Sequence, residues 1–150
     1  MALLPPSRTP CGACPYRRDV PSGIWDETDY AKLPPYDRPT PEQPVRLFQC
    51  HLYDAEDSRG RICGGWAGCH DGNGLLALRV ALIISREITP ETERAIREYE
   101  SPVPLFASGA EAAAHGMREL ENPGPQARRE IEKIQRIRTD LACEIPEGEF

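Results

Sequence analysis

The sequence predicts an α+β fold, in which a small, loop-rich, metal-stapled N-terminal region with a short β-hairpin is followed by α-helices. Ten of the 16 prolines lie in the first 44 residues, and five of the six cysteines lie between residues 11 and 69. Proline lacks a backbone N–H and moves the preceding residue out of helical geometry, so long regular elements are not expected there. The acidic residues change from mostly Asp to mostly Glu in the second half, which favours helices in that half.

The N-terminal region contains signals for three short elements. A helix is predicted over residues 27–33, because Pro34 and Pro35 stop it. Residues 45–50 have the pattern of a strand, and residues 61–63 are expected to return beside them across a polar loop at residues 54–60. This pair would form the hairpin of the predicted fold.

The second half contains the stronger helical patterns. The first of them is the apolar run at residues 75–87, for which a strand is the alternative, because a short apolar run does not distinguish a strand from a buried helix. Thr89 followed by Pro90 is typical of a helix start. The last pattern carries an apolar stripe opposite Arg and Glu, which favours a helix packed on its own domain over a helix that binds a partner. The four predicted helices cover residues 75–87, about 89–100, 111–120 and 126–142.

These elements divide the chain into two predicted parts. Residues 9–86 would form a cysteine-rich metal-binding domain, and residues 87–150 a helical C-terminal extension packed on it. The last residues, 144–150, are expected to be a flexible tail. No internal repeat is visible, and the length of 150 residues is that of a single ordinary domain.

Charge and hydropathy exclude several classes of protein. The net charge of −6 excludes a strongly basic nucleic-acid binder. Pro5 and Pro6 interrupt the apolar start too early for a signal peptide, and the apolar run at residues 75–84 is half a membrane span. We therefore expect a cytoplasmic protein with reduced thiols, whose cysteines are metal ligands or redox groups rather than disulfides.

The spacing Cys11-Gly-Ala-Cys14 predicts half of a tetrahedral metal site. Two cysteines separated by two residues on a turn can direct both sulfurs at one ion. Cys50 and Cys63 lie at the ends of the predicted strand pair and would complete a four-thiolate site. The possible substitutes are His51, Cys69 and His70, whereas Cys143 is expected to be a bystander.

The identity of the ion stays open between zinc and a 4Fe-4S cluster, since thiolates hold both. Base rates for small intracellular domains favour zinc, while Pro15 after Cys14 is compatible with a cluster. A redox dithiol is disfavoured because no core strand precedes Cys11. A zinc deaminase is excluded because its His-x-Glu would have to precede Cys11, where there is no histidine. Cysteines that act only as small apolar residues are the remaining alternative.

Three functions are compatible with such a centre. The first is a non-enzymatic protein-binding or regulatory factor, in which zinc replaces a core that the proline-rich half cannot build. Its partner would be a host or self protein, not a membrane or a nucleic acid. The second is an iron–sulfur protein for redox sensing or electron transfer. The third is a metal-dependent hydrolase, which would need an open ligand position and a general base.

A set of motifs over residues 9–84 carries a resemblance to a known family. The motifs are Pro10-Cys11-x-x-Cys14-Pro15-Tyr16-Arg17-x-Asp19-x-Pro21, Trp25, Phe48-x-Cys50-His51, Cys63-Gly-Gly-Trp66 and Leu76-Ala-Leu-Arg79. This pattern resembles an uncharacterised cysteine-rich family of unknown function from actinobacteria and their phages. The resemblance implies that Cys11, Cys14, Cys50 and Cys63 are the shared cysteines, with His51 alongside, and it implies no activity.

Overall fold

A computed structural model describes residues 3–52 and 60–138 of the chain. Within these ranges the regular structure is helical, and an α-helix at Leu76–Arg79 continues into a π-helical turn at Val80–Ile84. Turns of 3₁₀ helix cover Pro34–Asp37, Thr40–Glu42 and Gly72–Gly74. The α-helices of the described ranges are α1 (Glu27–Tyr30), α2 (Gly64–Cys69), α3 (Leu76–Arg79), α4 (Pro90–Arg97), α5 (Gly109–Met117) and α6 (Pro125–Ile137).

The predicted α+β class with a short β-hairpin is wrong. Residues 3–52 and 60–138 contain isolated β-bridges but no strand and no sheet. The two predicted strands meet at a single antiparallel bridge between Gln49 and Ile62. The pairing cannot extend because Cys63 is already the N-cap of α2. Of the predicted loop, all but Gly60 lies outside the described residues.

The short helix of the N-terminal region is present but ends early. It covers Glu27–Tyr30 rather than residues 27–33, and a 3₁₀ turn then begins at Pro34. Prolines have no N–H to continue an α-helical hydrogen-bond ladder, which is why the α-helix is not prolonged. The Tyr30 hydroxyl accepts the backbone N–H groups of Ile24 and Trp25, so this helix holds the preceding loop against the core.

The apolar run at residues 75–87 is a helix, but a shorter and less buried one than predicted. Leu75 and Leu78 are buried, whereas Ile83 and Ile84 are 69% and 76% exposed. The regular structure ends at Ile84, after the turn of π-helix. The remaining helices lie close to their predicted positions as α4, α5 and α6. Residues 139–142 of the last predicted helix and the predicted tail lie outside the described residues.

Helix α5 packs very closely on the N-terminal region. A Cβ at Gly116 would overlap the ring of Tyr30, and a Cβ at Gly109 would overlap the backbone oxygen of Leu33. Only a helix with small residues on one face can approach so closely. That buried face consists of Gly109, Ala112, Ala113 and Gly116.

Hydrogen bonds from the second half to backbone carbonyls of the first half also join the two halves. The N–H of Phe106 donates to the carbonyl of Tyr16 over 2.9 Å, and the hydroxyl of Tyr99 donates to the carbonyl of Ser7 over 2.9 Å. The division at residues 86 and 87 stays a prediction. None of the helices in residues 3–52 and 60–138 combines the length and the hydropathy that a membrane span requires.

Candidate metal centre

The four cysteines of the predicted site come together in the fold. The sulfurs of Cys14 and Cys63 lie 3.8 Å apart, although 49 positions separate them in the sequence. The thiol of Cys11 interacts with those of Cys14 and Cys50. The contacts therefore run in a chain from Cys50 through Cys11 and Cys14 to Cys63. All four are free thiols.

Local turns place the first pair of cysteines. The N–H of Cys14 donates to the carbonyl of Cys11 over 3.0 Å, which closes the turn between the two sulfurs. The guanidinium of Arg17 donates to the carbonyl of Pro10 over 2.9 Å and makes a bidentate pair with Asp19. Arg17 thus holds the start of the turn from outside, through charge-assisted hydrogen bonds.

The second pair of cysteines is placed by the isolated bridge. The N–H of Cys50 donates to the carbonyl of Arg61 over 2.8 Å, and the N–H of Cys63 donates to the carbonyl of Phe48 over 2.9 Å. These two hydrogen bonds bring the segments of Cys50 and Cys63 together without a sheet. The predicted pairing of these segments was therefore wrong as a hairpin, yet the segments do meet.

The sulfur of Cys63 accepts the backbone N–H of Trp66 over 3.4 Å. An amide donor stabilises the thiolate relative to the thiol, and hydrogen bonds of this kind orient and tune thiolate ligands. The backbone amides of Ala13, Tyr16 and Leu52 likewise act to lower the pKa of Cys11, Cys14 and Cys50 respectively.

The distance between Cys14 and Cys63 fits a tetrahedral zinc site. A Zn–S bond of about 2.3 Å places any two sulfurs of a tetrahedron about 3.8 Å apart. A disulfide would instead require about 2.05 Å. The other sulfurs make pairwise contacts: within residues 3–52 and 60–138, no three His, Cys, Asp or Glu side chains surround one point as metal ligands do.

Contact between the thiols disfavours their ionisation. The Cys14 thiol raises the pKa of Cys11 to about 12, with burial adding to the effect. The Cys11 thiol lowers the pKa of Cys14, but the Cys63 thiol and burial outweigh it and leave this pKa well above its ordinary value. The Cys11 thiol and burial also raise the pKa of Cys50. Without a cation these groups are neutral at pH 7, and a bound cation would have to displace their protons.

Among the residues predicted as substitute ligands, His51 directly follows one of the four cysteines, Cys50, in the sequence. Its Nε2 is 3.3 Å from Oδ1 of Asp29, and its ring packs on Phe48 with centroids 5.0 Å apart. Its Nδ1 is buried and has no hydrogen-bond partner. A carboxylate on one ring nitrogen is the usual support of a metal-binding histidine, so His51 stays a candidate.

Cys69 and His70 lie near a different acid, Asp37. His70 Nδ1 is 3.9 Å from Asp37 Oδ1, and its ring meets that of Tyr16 edge to face. Burial lowers the pKa of His70, so its neutral form is favoured. Burial raises the pKa of Cys69 to about 12, and the charges of Asp37 and Glu111 add to this. Cys143 lies outside the described residues.

Gly65 is a residue of the site that the sequence did not single out. A Cβ at Gly65 would overlap the sulfur of Cys14 and would lie 2.6 Å from Cβ of Tyr16. Gly12, inside the first cysteine pair, has nothing within 4 Å of its Cβ position. The glycine whose missing side chain leaves room for the Cys14 sulfur is therefore Gly65, two residues after Cys63. In the sequence, the Gly-Gly pair that follows Cys63 was the available signal for this role.

The arrangement is chemically suited to a closed structural site. Cys14, Cys50 and Cys63 are 1%, 7% and 3% exposed, so water has little access to their sulfurs. A catalytic zinc keeps one position open for water, whereas a structural zinc is enclosed by four protein ligands. Four thiols, three of them buried, correspond better to the second type.

The comparisons with known proteins identify a family but no activity. The model of a family described as "Family of unknown function (DUF6283)" matches residues 6–138, which includes all four cysteines. No curated protein and no solved structure matches the chain.

Proposed function

This chain belongs to the family of unknown function DUF6283, and on that premise we propose that it is a small cytoplasmic zinc protein. Cys11, Cys14, Cys50 and Cys63 would hold the ion, with His51 as the nearest substitute. The ion would be structural, and the surface that it shapes would bind a host or self protein in a regulatory role. On the resemblance of the cysteine motif, we also propose that the protein is encoded by an actinobacterium or one of its phages.

The contact between Cys14 and Cys63 is the observation that supports zinc most directly. Two thiols from distant segments lie 3.8 Å apart, at the spacing of adjacent ligands on one zinc ion. The backbone amides that act on the four cysteines would support the thiolates that zinc requires. Zinc would supply the positive charge that offsets the repulsion between four thiolates.

An iron–sulfur protein for redox sensing or electron transfer is the second candidate. Four cysteines hold either kind of centre, and Pro15 after Cys14 is compatible with a cluster. In a 4Fe-4S cluster each thiolate binds a different iron, which spreads the sulfurs further apart than on a single ion. The close contact of Cys14 and Cys63 therefore favours zinc.

A hydrolase receives less support from the same residues. Metal-dependent hydrolysis needs a ligand position that water can occupy. Four thiol ligands would leave none, and three of the four cysteines are buried. The proposal is therefore a binding protein rather than an enzyme.

Anaerobic purification followed by an absorption spectrum and metal analysis tests the proposal. We expect a colourless protein with one zinc per chain. A brown protein that contains iron and sulfide would instead identify the centre as an iron–sulfur cluster. Metal-free protein that binds neither zinc nor iron on reconstitution would leave the cysteines as small apolar residues and overturn the proposal.

Single substitutions test the ligand set. Cys11→Ser and Cys63→Ser are expected to lose zinc, since each removes one of the four thiolates. Cys69→Ser is the matched control, because Cys69 is also a free thiol with a raised pKa but interacts with Asp37 instead. Full zinc content in Cys11→Ser, or loss of zinc in Cys69→Ser, would contradict the ligand set.

A further inference from the structure

A cavity of about 590 Å³ lies beside the segment that carries Cys50 and His51. Three parts of the chain line it: residues 29–36, residues 44–51, and Arg138 after the end of α6. Its volume is in the range of small-molecule sites, about 300–1,000 Å³. Of the proposed ligands only Cys50 lines the cavity, and of the substitutes only His51, so the cavity adjoins the metal centre and most of its lining lies outside it.

One wall of the cavity is aromatic and rigid. Tyr36 and Phe48 are buried and meet edge to face, with ring centroids 5.8 Å apart. The hydroxyl of Tyr36 donates to the carbonyl of Arg46 over 2.6 Å, which fixes the ring against the neighbouring segment. Pro35 and Pro44 add further stiff, apolar surface. Such a wall suits a flat, apolar ligand body.

The charge of the lining is opposite to that of the whole chain. Among the described residues that line the cavity, three are cations, Lys32, Arg46 and Arg138, and one is an acid, Asp29. The net charge of the protein is −6. A cationic cavity on an acidic protein attracts anions locally while the rest of the surface repels them.

The carboxylate of Asp29 in this lining is already engaged. Oδ1 of Asp29 lies 3.5 Å from Nζ of Lys32 and 3.3 Å from Nε2 of His51. Arg138 donates to the carbonyl of His51 over 2.8 Å. Arg46 is exposed, and within the part of the chain that the structure describes no ion pair involves its guanidinium. Arg46 is thus the cation best placed to receive an external anion.

We propose that this cavity binds a small aromatic anion, with its ring on Tyr36 and Phe48 and its carboxylate or phosphate group on Arg46. A guanidinium pairs with either group through two parallel hydrogen bonds, so the chemistry of the two groups is shared. The proposal goes beyond the zinc site and does not require that any metal be bound.

Titration of the full-length protein as purified tests the proposal, with binding followed by calorimetry and ligand-observed NMR. The probes are phenyl phosphate, benzoate, the neutral benzyl alcohol and inorganic phosphate. We expect the two aromatic anions to bind, and the tighter of them assigns phosphate or carboxylate as the preferred group. No binding of either anion at millimolar concentration, or equal affinity for benzyl alcohol or inorganic phosphate, would overturn the proposal.

Matched variants locate the site. Arg46→Gln is expected to weaken binding at least about tenfold, because it removes a charge-assisted hydrogen bond. Arg38→Gln makes the same change of charge at an exposed arginine outside the lining, and it should leave the affinity unchanged. Ala31→Trp, at an exposed position of the lining, should block binding while all charges remain. Equal weakening by Arg46→Gln and Arg38→Gln, or unchanged affinity in Ala31→Trp, would contradict this location.

Discussion

Two glycines next to cysteines have different roles at the scale of single residues. Gly12 lies in the first cysteine pair, and open space surrounds its Cβ position. Gly65 lies in α2, two residues after Cys63, and its Cα is so close to the Cys14 sulfur that a Cβ would overlap it. The absent side chain of Gly65 is therefore what allows Cys14 and Cys63 to come within 3.8 Å.

Gly65→Ala is expected to lower the free energy of unfolding by about 1–3 kcal/mol, the usual cost of overpacking a buried site. Gly12→Ala is the matched control and should change stability by less than about 0.5 kcal/mol. Urea unfolding of both variants, with zinc content measured in parallel, checks the difference. A larger effect for Gly12→Ala would show that the turn of the first cysteine pair is the more constrained site.

The raised pKa values of the cysteines predict a pH dependence of zinc binding. The pKa of Cys11 is about 12, and those of Cys14 and Cys50 are also raised, so the free thiols carry protons at neutral pH. Zinc binds the thiolates, so binding releases protons and the apparent affinity must rise as the pH rises. Each released proton contributes about a tenfold increase per pH unit.

Calorimetric titration with zinc between pH 6 and pH 8 measures this dependence. Repeating it in buffers of different ionisation enthalpy counts the protons that leave. We expect more than one proton per zinc. An affinity that is independent of pH would contradict thiolate ligands.

Helix α5 shows how one element is tied to another at the scale of secondary structure. The carboxylate of Asp37 accepts the N–H groups of Gly109 and Ala110, each over 2.8 Å. These are N–H groups of the first turn of α5, which have no partner inside the helix. Ser108 caps the same helix from its own chain segment. Asp37 therefore joins the 3₁₀ turn at Pro34–Asp37 to α5 across 72 positions of sequence.

Asp37→Ala is expected to destabilise the protein by about 1–2 kcal/mol, as loss of a helix cap usually does. Asp26→Ala is the control, because Asp26 is the N-cap residue of α1 but its side chain makes no capping hydrogen bond. Chemical denaturation of both variants gives the comparison. Hydrogen exchange at the amides of Gly109 and Ala110 should accelerate only in Asp37→Ala. Equal destabilisation by the two substitutions would show that Asp37 does not stabilise the start of α5 more than an ordinary N-cap residue does.

At the scale of the whole molecule, a core of buried aromatic residues takes the place of a sheet. Tyr16, Tyr36, Phe48 and Trp66 pack mainly edge to face, with the neighbouring centroids 5.5–5.8 Å apart. Tyr16 and Trp66 are 0% exposed. The proposed zinc ligands lie beside this core and come from three separate segments, around residues 11–14, 50 and 63. A bound ion would therefore link segments that no extended hydrogen-bond ladder joins.

Zinc is consequently expected to stabilise the whole fold. Free zinc at about 1,000 times its dissociation constant adds about 4 kcal/mol to the free energy of unfolding, provided that the unfolded chain binds little. Thermal unfolding with added zinc and with chelator measures this effect. Cys11→Ser should show no response to zinc, whereas Cys69→Ser should respond as the natural chain does. The same melting temperature with zinc and with chelator would exclude a structural ion.

Local signals explain which elements could be predicted. Thr89 and Pro90 predicted the start of α4, and the hydroxyl of Thr89 does accept the N–H of Thr92 over 3.1 Å. Helix α6 begins one residue before its predicted start. Capping and periodicity depend on residues within a few positions, so the chain itself reports them. The predicted hairpin failed because pairing depends on whether two distant segments stay extended, and Cys63 enters α2 at once.

The sequence by itself determined which cysteines are available, how they are spaced and where α4, α5 and α6 form, because these depend on neighbours along the chain. Only the tertiary structure decided that Cys14 meets Cys63, that Gly65 admits the sulfur, and that Arg46 and Tyr36 border one cavity. These contacts join residues that are far apart in the chain. They arise from close packing around the aromatic core, and no local pattern encodes packing of that kind.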